Sequence, residues 1–129
     1  MIYLDTSAVM KTLVDETGSA HVRTLFATSD RLVSSRLLAV ELSAAADRRG
    51  LPREHIDEVL DTITLIAVDD NVLDDAIRLR SGLRSLDALH LATALEVGGE
   101  LTEFLAFDNE LNAAARRHGL VLHSASGSI

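Results

Sequence analysis

The sequence predicts an α/β fold of three layers, α/β/α, around a central and mostly parallel sheet of about four to five strands. Short apolar runs that suit buried strands alternate along the chain with longer amphipathic segments that suit helices. Such alternation favours parallel strands joined by helices that cover both faces of the sheet. With 129 residues, 47% of them apolar, the chain can bury one core, so we expect a single domain over residues 1–129.

The first part of the chain has the pattern strand, helix, helix, strand. Residues 2–4, IYL, suit an interior strand, and a helix should begin at about Ser7. A second helix is predicted over 19–27 and a strand near 32–33. The first strand ends at Asp5, where burying a charge costs free energy unless a partner or a metal ion compensates it.

The middle of the chain contains two helices followed by a strand. A long helix over 36–49 ends at Gly50, and Pro52 suits the first turn of the next helix. A strand near 65–68 follows. The second helix carries an apolar stripe that favours core packing over a groove for a partner helix; the stripe consists of Ile56, Val59, Leu60 and Ile63.

The last part of the chain continues the alternation, and the glycines at 98 and 99 close one of its helices. The predicted elements are helices over 71–81 and 86–97, a strand over 104–107, a helix over 109–117 and a short strand over 120–122. From about residue 124 we expect a flexible tail.

Composition excludes several classes of protein. The 12 basic and 20 acidic residues give a net charge of −8, which argues against broad nonspecific DNA binding but leaves room for nucleic acid at a metal-neutralised cleft. Cysteine is absent, so neither a disulfide framework nor a cysteine zinc site is expected, and a reducing cytoplasm is the expected location. No apolar run approaches the roughly 20 residues of a membrane helix, so we expect no membrane partner.

Four carboxylates stand in apolar surroundings. Asp5 and Asp108 directly follow strand-like runs, and ligands of parallel sheets bind beyond the carboxyl ends of strands. Glu41 has apolar helical neighbours three and four residues away on both sides, and Asp87 lies in a helix so apolar that we expect it to be largely buried. Four converging charges would repel one another, and a hard divalent cation is the usual remedy. Without cysteine or a close histidine pair, Mg²⁺ or Mn²⁺ is favoured.

Each of three carboxylates also has a purely structural interpretation. Asp5 or Asp108 would suit the cap of the following helix, and Asp87, just after a predicted Ser85 cap, would favour the positive end of the helix dipole. Glu41, in mid-helix, has no such role.

Polar residues near these carboxylates also have expected roles. His90 shares a helix face with Asp87, and in so apolar a helix a hydrogen-bonded core histidine is favoured over a metal ligand. We expect Ser7 to cap the first helix and Thr6 to hold Asp5 by a hydrogen bond.

The four positions also carry a family resemblance. The stretches IYLDTSAV, AVELSAA, SLDALHLATALE and FLAFDNEL resemble, in order and spacing, the PIN-domain ribonucleases, and in particular the VapC-type toxins of toxin–antitoxin pairs. The resemblance implies a doubly wound α/β fold and Mg²⁺- or Mn²⁺-dependent hydrolysis of structured RNA, such as tRNA or rRNA. It also implies a cognate antitoxin and a homodimer. Carried over by position, the acidic site consists of Asp5, Glu41, Asp87 and Asp108.

The chain departs from the family pattern at Ala106, where members often have Thr or Ser two residues before the last Asp. This departure supports an alternative, a catalytically degenerate PIN-like module for binding or dimerisation. A haloacid-dehalogenase phosphatase is disfavoured because Ser7 stands where that chemistry wants a second acid, and a receiver domain because Lys11 is the only lysine. Five arginines would suit either an RNA path or a solvated surface; they are Arg78, Arg80, Arg84, Arg116 and Arg117.

Overall fold

A single parallel sheet forms the centre of the protein in the computed structural model, which describes residues 1–29 and 31–127. Its strands are β1 (Ile2–Leu4), β2 (Leu32–Ser35), β3 (Thr64–Ile66) and β4 (Glu103–Leu105). Their order is β3-β2-β1-β4, and every pairing is parallel. The residues that follow β1, β2 and β4 therefore emerge at one edge of the sheet, side by side.

Seven α-helices flank this sheet within the described residues. They are α1 (Thr6–Leu13), α2 (Ser19–Thr28), α3 (Leu37–Arg49), α4 (Arg53–Asp61), α5 (Asp70–Arg78), α6 (Ser85–Val97) and α7 (Asn109–Arg117). Every predicted helix is present. The largest difference is at the end of α5, which stops at Arg78 instead of residue 81 because Arg80 adopts a left-handed backbone with φ 48°. In the part of the chain that the structure describes, no helix combines the length and apolar character needed to cross a membrane.

The core consists of two apolar clusters, one on each face of the sheet. Successive residues of a strand point to opposite faces, so Leu4 of β1 packs with α1, α2, α3 and α4, while Tyr3 packs with α6 and α7. This arrangement confirms the three predicted layers. In the predicted stripe, Ile56 of α4 is buried, Val59 and Leu60 of α4 pack against the cluster that contains Leu4, and Ile63, in the turn after α4, is buried in the same cluster, which confirms core packing.

The C-terminal segment lies along the edge of β4. The predicted strand over 120–122 is reduced to one parallel bridge between Leu122 and Phe104. Further on, Ser126 Oγ donates to the carbonyl oxygen of Phe104 at 3.1 Å, and Gly127 N donates to that of Ala106 at 3.1 Å. Within the tail that was expected to be flexible, Ser126 and Gly127 are thus hydrogen bonded to β4 and the residue that follows it, whereas Ser128 and Ile129 lie outside the described residues.

Candidate active site

The carboxyl edge of the sheet brings together residues that are far apart in sequence. Asp5 directly follows β1, and its backbone N–H donates to Leu105 O of β4 at 3.0 Å. The helix that follows β2 carries Glu41, and Asp108 follows β4 at the start of α7. Asp87 lies in the first turn of α6, which packs against β2. The strand order thus explains how these carboxylates approach one another.

Asp5 is a nearly buried carboxylate that caps α1. Its Oδ2 accepts hydrogen bonds from Ser7 N at 3.1 Å and from Ser7 Oγ at 2.6 Å, so the capping interpretation of Asp5 is correct and that of Ser7 is wrong. The Ser7 hydroxyl also accepts a bond from Phe107 N at 2.9 Å, and this bond ties the start of α1 to the segment before Asp108. Only one oxygen of Asp5 is used in the cap.

Glu41 is held by two donors that meet on the same oxygen. Thr6 Oγ1 donates to Glu41 Oε1 at 2.7 Å, and His90 Nε2 lies 2.8 Å from that oxygen. The prediction that Thr6 holds Asp5 is wrong, because Asp5 Oδ2 is already engaged by Ser7 and the Thr6 side chain reaches α3 instead. Burial alone would raise the pKa of Glu41, but the hydrogen bond and charge of His90 and the bond from Thr6 leave that pKa below its ordinary value.

Asp87 is the carboxylate whose protonation is most perturbed. Burial, followed by the charges of Asp5 and Asp108, raises the pKa of Asp87 from 3.8 to about 6. The charges of Asp5 and Asp108 therefore repel that of Asp87. Asp87 is partly buried, near the start of α6, whereas residues 90–94 of that helix are buried as expected. Ser85 is not the cap, because α6 begins at Ser85 without a side-chain cap from Arg84.

Asp108 combines a capping role with its place beside the other acids. Its Oδ1 accepts a hydrogen bond from Leu111 N at 2.9 Å, so it is the N-cap of α7. Like Asp5 and Glu41, Asp108 thus accepts hydrogen bonds from the described residues through one of its carboxylate oxygens. No hydrogen bond from the described residues reaches Asp108 Oδ2 or Glu41 Oε2.

His90 is fully buried and hydrogen bonded through both ring nitrogens. Its Nδ1 lies 2.7 Å from the hydroxyl of Tyr3, and its Nε2 lies 2.8 Å from Glu41 Oε1 and 3.7 Å from Asp5 Oδ1. Burial lowers the pKa of His90, but the hydrogen bond to Glu41 and the charges of Asp5, Glu41 and Asp87 raise it above its usual value overall. The structure agrees with a core histidine. Sequence reasoning missed Tyr3, for which the only local signal is a polar hydroxyl within a buried strand.

Ala106 lies in apolar surroundings. It is fully buried in the same apolar cluster as Tyr3 and Phe104, on the sheet face opposite to that of Leu105 and Phe107. A methyl group suits that environment, and only the backbone of Ala106 makes polar contacts, with Asn112 and the C-terminal segment.

In the orientations that the structure shows, the four candidate carboxylates do not form a complete metal site. Within residues 1–29 and 31–127, no three His, Asp or Glu side chains are grouped so as to hold a metal ion. The chemistry of the donors nevertheless fits Mg²⁺ or Mn²⁺, because they are carboxylate oxygens. The mutual repulsion recorded in the pKa of Asp87 is the kind that a divalent cation relieves.

The candidate RNA-binding arginines do not share one environment. Arg84 immediately precedes α6, and its charge lowers the pKa of nearby Asp87. Arg78 forms an ion pair with Asp75. Arg116 and Arg117 lie in the last turn of α7, at the opposite end of that helix from Asp108.

An open groove of about 370 Å³ adjoins the cluster between α1, α3 and the start of α6. Its apolar lining includes Met10, Leu37 and Leu86, and Val40 in its wall is 65% exposed. Glu41 lines the groove, and so do Arg48 and Arg49, two turns further along α3.

Strand order and site together define a class, the parallel α/β proteins with carboxylates gathered at the carboxyl edge of the sheet. The family model of the PIN domain matches residues 2–117 of this chain. Ribonuclease VapC47 of Mycobacterium tuberculosis is 37% identical, with 96% of each chain covered, and Ribonuclease VapC46 of the same species is 36% identical, with 97% and 98% covered. The chain therefore belongs to the PIN-domain family, among the VapC ribonucleases.

Solved structures show the same fold. The Mycobacterium tuberculosis toxin VapC20, described as cleaving the sarcin–ricin loop, matches with a TM-score of 0.72 and 20% identity, over 94% of this chain and 97% of that one. A chain of a toxin–antitoxin complex from Klebsiella pneumoniae matches with a TM-score of 0.69 and 19% identity, over 84% and 87%. The predicted family and fold class are both confirmed.

Proposed function

We propose that this protein is the toxin of a toxin–antitoxin pair, an endoribonuclease that hydrolyses phosphodiester bonds in structured RNA with Mg²⁺ or Mn²⁺. The observation that carries the proposal is that Asp5 and Glu41 meet around His90 at the carboxyl edge of the sheet, with His90 Nε2 3.7 Å from Asp5 Oδ1 and 2.8 Å from Glu41 Oε1. The raised pKa of Asp87, which burial and the charges of Asp5 and Asp108 produce, supports it. Strongly perturbed carboxylates at the ligand-binding edge of a parallel sheet are typical of functional sites. The VapC ribonucleases at 36–37% identity support the same reaction.

We assign two kinds of role to the four proposed site residues. Asp5, Asp87 and Asp108 would hold the cation, and Glu41 would either complete the coordination or orient the attacking water. A divalent cation bound there would lower the pKa of water and neutralise charge on the departing 3′ oxygen. The caps at Asp5 and Asp108 fix these carboxylates through one oxygen each and so limit their rotation.

The substrate we propose is an exposed loop of tRNA or rRNA. The nucleotides of a single-stranded loop can be splayed out into a cleft, whereas those of a paired A-form helix are held stacked and base-paired. Arg84, whose charge acts on Asp87, would contact a neighbouring phosphate. The cleavage of the sarcin–ricin loop by VapC20, a structural relative, agrees with a folded RNA target.

The experiment is to incubate the purified protein with tRNA and rRNA in Mg²⁺, in Mn²⁺ and in excess EDTA, and to map the products. We expect discrete internal cuts with either metal and none in EDTA. Undiminished cleavage in EDTA would contradict the metal-dependent mechanism. If no RNA is cut although the protein binds an antitoxin, the degenerate binding module is the correct alternative.

We also propose an antitoxin as protein partner and a homodimer as the assembly. An antitoxin segment that lays an Arg against the carboxylates would satisfy the acidic end of the site, since a guanidinium pairs well with carboxylates. We expect the variant with Asp5, Asp87 and Asp108 all changed to Asn to bind a cognate antitoxin at least about tenfold more weakly, as measured by calorimetry. Equal affinity would exclude contact at the site as a major contribution. Sedimentation equilibrium tests the homodimer.

A further inference from the structure

A buried chain of hydrogen bonds runs from the sheet into the acidic site. It begins at the hydroxyl of Tyr3 on β1, passes through both ring nitrogens of His90 on α6, and ends at Glu41 Oε1 on α3. Tyr3 is completely buried and His90 is 1% exposed. We infer that Tyr3 and His90 are positioning residues, which hold the Glu41 carboxylate in one orientation through Oε1 and leave Oε2 for the reaction. This inference rests on the proposed function.

Which atom donates and which accepts in each of these hydrogen bonds follows from the chemistry of the side chains. An ionised carboxylate only accepts hydrogen bonds, so the contact at 2.8 Å requires a proton on His90 Nε2. The Tyr3 hydroxyl can donate to a neutral Nδ1 or accept from a protonated one, so in both charge states it holds the ring in place. Thr6 provides a second donor to Glu41 Oε1 at 2.7 Å. Two donors on one oxygen restrict the rotation of the carboxylate.

Packing also restricts the ring positions. The Tyr3 ring stacks on Phe104, with centroids 5.5 Å apart and planes 5° apart, and meets the His90 ring edge to face at 5.9 Å. Buried hydrogen bonds of this kind do not raise the stability of the core above that given by apolar side chains of similar size. Their value lies in orienting a ligand or base, as second-layer partners of metal sites do.

The test uses three variants, each of which changes different hydrogen bonds between Tyr3, His90 and Glu41. His90→Leu removes both bonds, His90→Gln keeps a side-chain N–H donor for Glu41, and Tyr3→Phe removes only the hydroxyl. The probes are Mn²⁺ itself, titrated by electron paramagnetic resonance, and the kcat and KM of RNA cleavage. For His90→Leu we expect about a tenfold or larger increase in the Mn²⁺ dissociation constant and a similar fall in kcat, with KM little changed. Tyr3→Phe should lie between His90→Leu and the parent, and His90→Gln should recover most of both losses.

A matched control separates positioning from simple destabilisation. Ile56→Val removes a methyl group from the buried side chain on α4, away from the hydrogen-bond chain, and should lower the melting temperature without changing Mn²⁺ affinity or kcat. If His90→Leu behaves like this control, or if His90→Gln is no better than His90→Leu, the inference is overturned.

Failure of the proposed function would be recognised separately. If the parent neither binds Mn²⁺ nor cleaves RNA, that function is wrong, while ¹⁵N NMR of the His90 ring still decides the inference. At alkaline pH the neutral ring should carry its proton on Nε2 in the parent. A proton on Nδ1 would overturn the inference, because Nε2 could not then donate to Glu41.

Discussion

Replacing Asp5 or Asp87 by Asn is expected to reduce RNA cleavage at least about 100-fold while the fold persists. Removal of a residue that only hydrogen bonds to a metal ligand already lowers metal affinity or activity about 10- to 100-fold. Removal of a proposed ligand charge should therefore lower activity more. The fold should survive, because an Asn oxygen at position 5 still accepts the bond from Ser7 N that caps α1. Cleavage rates at saturating Mn²⁺, with circular dichroism as a check of folding, measure the effect. Asp108→Asn should behave similarly, since Asn also preserves the cap to Leu111 N.

Asp70→Asn is the matched control for this prediction. Asp70 lies in the first turn of α5, as Asp87 does in α6, but it is exposed, and its charge is not among those that shift the pKa of Asp87. It should retain full activity. Equal losses in the Asp70 and Asp87 variants would mean that charge at a helix start, and not a metal site, underlies the effect.

Without metal, Asp87→Asn is expected to melt higher than the parent by about 4 °C at pH 7. The pKa of Asp87 is raised from 3.8 to about 6, so its ionised form opposes folding. Because the side chain is partly exposed, solvent screening reduces the full linkage energy to about 1–2 kcal/mol. The variant loses about 0.5 kcal/mol of helix-dipole interaction, which leaves a net gain near 1 kcal/mol.

The pH dependence of this difference has a definite sign. In the unfolded chain Asp87 ionises near pH 3.8, whereas in the folded protein it ionises near pH 6. Between these values the parent loses stability relative to the variant as pH rises, and below about pH 4 both states are protonated. The difference in melting temperature should therefore be largest at neutral pH and vanish as the pH falls below about 4.

Added Mn²⁺ should reverse the order of the two proteins. Only the parent keeps all the proposed ligand charges, so binding to its folded state should raise its melting temperature far more than that of Asp87→Asn. Thermal scans in EDTA and in Mn²⁺ measure both effects. If Asp87→Asn instead melts lower than the parent in EDTA and responds to Mn²⁺ like the parent, Asp87 serves only the helix dipole.

The sequence predicted the elements of the fold because their signals are local. Gly50 ends α3 with a left-handed backbone, Pro52 is the N-cap of α4, one residue before the first turn in which it was predicted, and the stripe packs on the core, with Ile56 buried and Val59 and Leu60 partly buried. The prediction did less well where a local signal competed with a distant contact. Residues 120–122 have a strand-like composition, yet within the described residues only Leu122 forms a bridge, to Phe104 of β4.

The sequence by itself determined the fold class, the family and the four candidate carboxylates, since each depends on residue type and order along the chain. Only the tertiary structure decided what these residues contact. Thr6 bonds Glu41 across 35 positions, His90 bonds Glu41 across 49, and Tyr3 bonds His90 across 87. No periodicity encodes such pairs. They arise because the order β3-β2-β1-β4 places β1 between β2 and β4, and so brings the start of α1, the middle of α3 and the first turns of α6 to one edge of the sheet.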